Sequence, residues 1–167
     1  MNARNAILSS IRAAAVPRSP AAALVVLPAG ITDLLDHFLQ MLDGVGGHGV
    51  VRRADQTIES VVADFSGVDL GEMVAVPGRF AVAENGAVYV DAADLVARAD
   101  IVRAEHLVLV VPAAALVPTM HEAVRLIPEG SACGWFLSGP SKTADIEQSL
   151  VVGAQGARTL HVIFDAG

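Results

Sequence analysis

The chain has 167 residues, 53% of them hydrophobic, with a formal charge of −7 and a pI near 5.0. This length is enough for one domain with a buried core, and the acidic charge argues against a nucleic-acid partner, because phosphate binding draws on clustered Lys and Arg. No apolar run reaches the roughly 18 residues of a membrane-spanning helix. The one cysteine, Cys133, cannot form an internal disulfide, so a cytoplasmic location is expected. It also cannot supply the usual four thiolates of an iron–sulfur cluster, so any such cluster is expected on a partner.

The N-terminal segment, residues 1–23, differs from the rest of the chain in composition. It predicts an amphipathic helix whose apolar residues share one face: Ile7, Leu8, Ile11 and Ala15. The helix is expected to end before Pro17, and an Ala/Pro-rich connector follows. Because no Asp or Glu occurs before Asp33, the segment also loosely resembles a transit peptide. We expect residues 1–23 to form a helix and connector, and residues 24–167 to form one α/β domain.

A second helix is predicted from a cap at Thr32 to Gly44, where a left-handed residue is favoured. Its apolar residues lie on one face: Leu35, Phe38, Leu39 and Leu42. The pair Val50-Val51 then indicates a short strand, and a third helix follows over about 57–65, with Asp55 available as its cap.

A β-hairpin is predicted near residues 80–90. Two apolar runs, 80–83 and 87–90, flank the sequence Glu84-Asn85-Gly86. Asn-Gly between apolar runs is a strong hairpin signal, because both residues tolerate positive φ. We therefore expect a tight antiparallel turn at this place.

The C-terminal half alternates apolar runs with amphipathic segments. Strands are predicted over 107–111, 135–137 and 160–164, with helices over 118–127 and 143–152 between them. Continuous apolar strands separated by single helices imply a parallel sheet covered on both faces. The predicted class is therefore three-layer α/β/α with a mainly parallel sheet, to which the hairpin and the N-terminal helix are added.

The best candidate site is the segment 138–147, which leaves the strand ending at Leu137 and enters the predicted helix. Ligands of parallel sheets collect beyond the carboxyl ends of the strands. Gly139 permits close backbone approach, the amides of a first helical turn donate to negative oxygens, and Lys142 is the only lysine of the chain. This turn suits a small anion such as a carboxylate.

A purely structural interpretation of the same segment stays open. In this interpretation Thr143 simply caps the helix, and Asp145 and Glu147 complement the helix dipole without any ligand. The spacing is not that of a phosphate-binding P-loop. The residues alone leave both interpretations standing.

The sequence of residues 138–147, SGPSKTADIE, resembles the SGPS(R/K)TADIE signature of the lactate-utilisation (LUD) domain family, protein C type. The likeness continues at residues 83–86, where the family shows Ala-Glu-Thr-Gly, and at 153–163, where it shows a Gly-x-His-Gly-Pro-Arg stretch. Three residues depart from the family pattern: Asn85 stands for Thr, and Gln155 and Ala157 stand for His and Pro. These departures put any role of that histidine in doubt.

The resemblance implies the fold of the ribose-phosphate isomerase, glucosamine-phosphate deaminase and CoA-transferase superfamily. It also implies an accessory or anion-binding subunit in the oxidation of L-lactate to pyruvate, working with iron–sulfur partner proteins. Any clusters are expected on those partners alone, and the hydrophobic content allows a homo-oligomer. The residues that the resemblance and the turn assign to the ligand are Ser138, Gly139, Pro140, Ser141, Lys142, Thr143, Asp145, Glu147, Glu84, Asn85, Gly86, Gly153, Gly156 and Arg158.

An alternative is an enzyme of the CoA-transferase or sugar-phosphate type that uses Glu84. The Glu-Asn-Gly turn resembles that of CoA-transferases, whose Glu attacks an acyl-CoA, although the glycine-rich run that follows there is absent here. The candidate catalytic residues are Glu84 and Asp145, and the sequence does not decide whether the chain is an enzyme. The five histidines form no HxH or HExxH pair, so no metal site is expected.

Overall fold

A computed structural model of the chain describes four ranges: residues 3–14, 33–65, 73–144 and 150–166. The chain divides into two compact units, Met1–Gly30 and Ile31–Gly167. In the first unit helix α1 runs over Ala3–Ala13, where the N-terminal helix was predicted, and none of its residues is buried. The predicted boundary between residues 23 and 24 lies outside the described residues.

Helix α2 (Leu34–Gly44) begins at an Asp cap rather than at Thr32, which lies outside the described residues. The side chain of Asp33 accepts hydrogen bonds from the backbone N–H groups of Leu35 and Asp36, at 3.0 and 3.1 Å. Gly44 is the last helical residue, and the left-handed conformation falls two residues later, at Gly46 with φ +78°. A left-handed residue is common just after a helix because it turns the chain away from the helix axis.

Helix α3 (Ile58–Ala63) is capped by Thr57, not by Asp55 as predicted. The Thr57 side chain accepts a hydrogen bond from the Ser60 N–H at 3.1 Å, and the Ser60 hydroxyl accepts one from the Thr57 N–H at 3.0 Å. This reciprocal pair satisfies two of the amides that the first helical turn leaves unpaired. Asp55 lies two residues before this cap, so it does not occupy the N-cap position of α3.

The larger sheet of the second unit is entirely parallel. Its strands are, in spatial order, β1 (His48–Arg52), β10 (Thr159–Asp165), β5 (His106–Pro112) and β2 (Met73–Pro77). The predicted strands at 50–51, 107–111 and 160–164 all belong to it. Alternate residues of β5 and β10 are buried on opposite faces, as a sheet covered on both sides requires.

A second, mixed sheet contains the predicted hairpin. Its strands are, in spatial order, β6 (Leu116–Val117), β3 (Phe80–Val82), β4 (Ala87–Asp91) and β7 (Gly134–Leu137). The strand at 135–137 was expected in the parallel sheet, but it pairs antiparallel with β4. Aromatic packing accounts for this, because the ring of Phe136 lies 5.1 Å from Tyr89 and 6.1 Å from Phe80.

Helices cover both faces of the parallel sheet, in agreement with the predicted α/β class. On one face Phe38 of α2 packs edge-on against Phe164 at 5.0 Å, within the main core that the second sheet also shares. On the other face Val61 and Val62 of α3 pack against Ile163. The far side of the second sheet is covered by α5 (Met120–Arg125), and α4 (Asp100–Arg103) lies between β4 and β5 in the chain.

The helix predicted over 143–152 is absent from the described part of that range. The structure has two antiparallel strands there, β8 (Lys142–Ala144) and β9 (Leu150–Val152), and residues 145–149 lie outside the described residues. Backbone bonds hold the pair, since Ser141 donates to the Ala157 carbonyl and accepts from the Gly153 N–H, both at 2.9 Å. These long-range bonds override the helical periodicity of the sequence. No helix among the described residues is long and apolar enough to cross a membrane.

Candidate functional site

The signature segment lies at the amino edge of the parallel sheet, not at the carboxyl edge as predicted. Its Ser141 N–H donates to the carbonyl of Ala157, two residues before β10 begins. The Arg158 N–H donates at 2.8 Å to the carbonyl of Glu105, directly before β5. The expectation failed because β7, which leads into the segment, runs in the second sheet. The rule for carboxyl ends of parallel strands therefore does not apply to it.

The C-terminal end of α2 holds the start of this segment in place. Gly139 has φ +76°, and a Cβ added to it would lie 2.7 Å from the carbonyl oxygen of Val45. The Nζ of Lys142 donates to that same oxygen at 2.5 Å. A positive charge is favourable at a helix C-terminus, where carbonyls are left unpaired. Lys142 therefore fastens the loop to the helix, a contact that the sequence did not suggest.

The hairpin turn at 84–86 meets the same loop. The Ser138 hydroxyl donates to the backbone carbonyl of Asn85 at 2.8 Å. Gly86 has φ +65°, and a Cβ there would lie 2.7 Å from the backbone nitrogen of Leu42 in α2. Two of the three stretches that carry the family resemblance are thus in contact, although they are more than fifty residues apart.

The Glu84 carboxylate has a structural partner. Its Oε2 accepts a hydrogen bond of 2.8 Å from the backbone N–H of Met120, the first residue of α5, and its own N–H donates to the Pro118 carbonyl at 3.0 Å. A carboxylate is favourable at a helix N-terminus. This contact explains an acidic residue at the hairpin tip without catalysis.

A cavity of about 300 Å³ lies beside the signature loop. The lining residues that come from the two loops, Ser138–Ser141 and Gln155–Ala157, are called the polar wall because they include the three polar side chains of the lining, those of Ser138, Ser141 and Gln155. The other wall is apolar and consists of Ile101, Val102, Leu107, Trp135, Phe136, Leu137 and Leu160. None of the described residues that line the cavity carries a charged side chain.

Two glycines shape the stretch after β9. A Cβ on Gly156 would lie 3.1 Å from the Cβ of Ser141 across the polar wall. Gly153 has φ +81°, and a Cβ there would lie 2.3 Å from Arg158. The Arg158 guanidinium pairs with the Glu105 carboxylate at 2.6 Å. It flanks the cavity without lining it.

Residues 72–164 match the family model described as the LUD domain. The chain belongs to the LUD domain family. The match confirms the resemblance seen in the signature segment, and it includes both stretches that form the site.

Curated relatives of this LUD domain chain are called lactate utilization protein C. The protein C 1 of Bacillus mycoides is 42% identical over 69 residues, which cover 36% of this chain and 30% of that protein. The protein C of Halalkalibacterium halodurans is 29% identical over 136 residues, which cover 76% of this chain and 53% of that protein. The chain thus spans between about a third and a half of these relatives' lengths.

A solved structure has the same fold as this LUD domain chain. It is a DUF162 family protein from Deinococcus radiodurans, with a TM-score of 0.60 and 17% sequence identity. The match covers 83% of this chain and 100% of that chain. At this identity the likeness shows the α/β fold alone.

The LUD domain brings only part of the predicted site together around the cavity. The predicted residues that line it are Ser138, Gly139, Pro140, Ser141 and Gly156. Those that do not line it are Lys142, Gly153, Arg158, Glu84, Asn85 and Gly86. The side chains of Thr143, Asp145 and Glu147 lie outside the described residues. Ligand binding by any of these residues stays a prediction.

Sequence reasoning missed the apolar wall. Leu107 and Leu160 belong to apolar strand segments that any buried sheet requires, so nothing in their local pattern separates a cavity wall from the core. Gln155 and Ala157 were noticed only as departures from the family pattern. Both line the cavity.

The titratable groups with shifted pKa values lie away from the cavity. Burial, with smaller contributions from the neighbouring His48 and His106, lowers the pKa of His161 to about 4. His161 faces the α3 side of the sheet and stacks on Phe65 at 4.2 Å. The Asp91 pKa is lowered by the hydrogen bond from the Ala93 N–H. Across the described residues, no cluster of three His, Cys, Asp or Glu could hold a metal ion.

Proposed function

We propose that this chain is a ligand-binding subunit of a cytoplasmic L-lactate utilisation system that oxidises lactate to pyruvate. Two kinds of evidence support the proposal: the curated relatives are called lactate utilization protein C, and residues of the family signature line a cavity of ligand size. The cavity is the observation that carries it.

The proposed ligand is a small carboxylate. The Ser141 hydroxyl and the amide side chain of Gln155 lie on the polar wall of the cavity, and both can donate hydrogen bonds to carboxylate oxygens. The ammonium group of Lys142 lies behind the loop at the end of α2. Its charge adds a favourable potential for one negative charge without a direct contact.

Electron transfer in this system is assigned to iron–sulfur proteins that act as partners. Cys133 is the only cysteine of the chain, and clusters are usually held by four thiolates. The subunit would therefore bind or present the carboxylate while its partners hold the clusters.

Calorimetric titration of the purified chain with L-lactate and with pyruvate tests the ligand. We expect saturable binding that Ser141→Ala weakens, because the hydroxyl lies on the polar wall. Ser10→Ala, which removes an exposed hydroxyl in α1, is the matched control and should leave the affinity unchanged. Absence of binding, or equal affinities for all three proteins, would refute the assignment of this loop.

Affinity purification from cells grown on lactate tests the partners. We expect iron–sulfur proteins to copurify with the tagged chain and to give the eluate their visible absorbance. An eluate without iron from lactate-grown cells would contradict the partner assignment, while the titration would still report on the ligand.

A further inference from the structure

The cavity beside the signature loop has two chemically different walls. Its polar wall offers the Ser141 hydroxyl, the Gln155 amide and the backbone of Gly156. Its apolar wall is accessible at Trp135, Leu137 and Val102, while Leu107 and Leu160 are each only 2% exposed. A ligand that fills this space must itself be amphiphilic, with a polar end and an apolar body.

Charge restricts the polar end of that ligand. None of the described lining residues is charged, and the two nearest cations of the signature region have other partners: Lys142 bonds to the Val45 carbonyl and Arg158 to Glu105. A phosphate dianion would lose its hydration without gaining a paired cation. A single carboxylate is held adequately by neutral hydroxyl and amide donors.

Volume restricts the apolar body. The cavity measures about 300 Å³, which corresponds to roughly ten water molecules at about 30 Å³ each. A three-carbon acid such as lactate fills only part of this space. Its single methyl group would cover little of the water-exposed part of the apolar wall, which comes from Trp135, Leu137 and Val102, and this would forfeit the hydrophobic contribution to binding.

We propose that the cavity binds 2-hydroxy or 2-oxo acids that carry a branched aliphatic or aromatic body, in preference to lactate and to phosphorylated acids. The carboxylate lies on the wall formed by Ser141, Gln155 and Gly156, and the body lies against Trp135, Leu137 and Val102. This inference rests on the proposed function, since that function places a small carboxylate at the same loop.

Calorimetric titration with a graded series of acids tests the preference. The probes are L-lactate, 2-hydroxy-4-methylpentanoate, phenyllactate and 3-phosphoglycerate. Each additional buried methylene is expected to tighten binding about fourfold. We therefore expect phenyllactate to bind at least about tenfold tighter than lactate, and 3-phosphoglycerate to bind more weakly than phenyllactate.

A substitution at the rim of the cavity tests recognition of the apolar body separately from recognition of the carboxylate, and it does not disturb the core. Val102 lines the cavity and is 56% exposed, so Val102→Ser should leave the fold intact. The substitution should weaken the binding of phenyllactate several-fold and leave the affinity for lactate nearly unchanged. Val96→Ser, at a fully exposed valine that does not line the cavity, is the matched control. Ser141→Ala should weaken the binding of every acid by the same factor.

Each outcome of the series is decisive. Equal affinities for lactate and phenyllactate would overturn the inference and leave the proposed function standing. Tighter binding of 3-phosphoglycerate would overturn the charge argument. No binding of any carboxylate would refute both the inference and the proposed function. A loss of phenyllactate affinity in Val102→Ser but not in Val96→Ser would support the inference.

Discussion

The ammonium group of Lys142 donates a hydrogen bond to the carbonyl oxygen of Val45, a residue ninety-seven positions earlier in the chain. Val45 is the C-cap of α2, so the bond places a positive charge at the negative end of a helix dipole. The same carbonyl lies where any side chain on Gly139 would point. The signature loop is therefore attached to α2 by one lysine and by one glycine that allows close approach.

Replacement of the lysine tests the attachment. Lys142→Ala should lower the free energy of unfolding by about 1 kcal/mol, because a charged hydrogen bond at a helix terminus is lost. It should also weaken carboxylate binding, since a nearby positive charge is removed. Urea denaturation at low and high salt measures the first effect. Arg53→Ala removes an exposed ion pair with Asp55 and should cost less; equal costs for the two variants would argue against a specific anchor.

Gly139 offers a sharper test, because Gly130 is a natural control. Both residues have positive φ, +76° and +89°, but a Cβ on Gly130 would meet nothing within 4 Å. Gly130→Ala should cost only the backbone strain of about 1 kcal/mol. Gly139→Ala should cost at least about 2 kcal/mol, because the new methyl also collides with the Val45 carbonyl. Thermal and urea unfolding measure the difference, and equal losses would show that the loop does not depend on the close approach.

Local signals predicted much of this fold. The Asn85-Gly86 pair identified the hairpin because the turn is determined by adjacent residues. The apolar runs identified β5 and β10 because strands buried on both faces need continuous apolar sequence. Helix α2 followed from its periodic apolar face, although the cap moved from Thr32 to Asp33. Two neighbouring residues that can both act as caps are not distinguished by pattern alone.

The wrong predictions have a different cause, because in each of them long-range contacts determine the structure. β8 and β9 replace a predicted helix because Ser141 is bonded to Ala157 and Gly153, which the sequence does not reveal. β7 joined the second sheet through the packing of Phe136 on Tyr89. The apolar wall of the cavity could not be separated from the core for the same reason. The signature segment was expected to begin a helix, but residues 142–144 form β8 instead.

Two variants of Glu84 test whether its carboxylate has a structural or a catalytic role. Glu84→Ala should lower the free energy of unfolding by about 1 kcal/mol, because the Met120 N–H loses its acceptor. Glu84→Gln keeps an acceptor and should cost less. After incubation with an acyl-CoA, intact-mass spectrometry of the wild-type protein should show no adduct. A mass increase that Glu84→Gln abolishes would restore the alternative of a CoA-transferase.

The buried His161 predicts a loss of stability in acid. Burial, with smaller contributions from His48 and His106, lowers its pKa to about 4 in the folded chain, against 6.5 for an ordinary histidine. Between these values the unfolded chain binds a proton that the folded chain does not. The stability present above pH 6.5 is therefore lost as the pH falls toward 4, by up to about 3 kcal/mol.

Urea denaturation at several pH values measures this loss, and His161→Phe should reduce it. The new ring can keep the stacking on Phe65, and it removes both the titrating group and a buried Nδ1 that has no hydrogen-bond partner. His121→Phe, at an exposed position in α5, is the matched control. Its free energy of unfolding should fall with pH at the wild-type slope. The carboxylates protonate in all three proteins, so the difference between the slopes isolates His161. Identical slopes for all three would show that the buried imidazole does not govern the acid sensitivity.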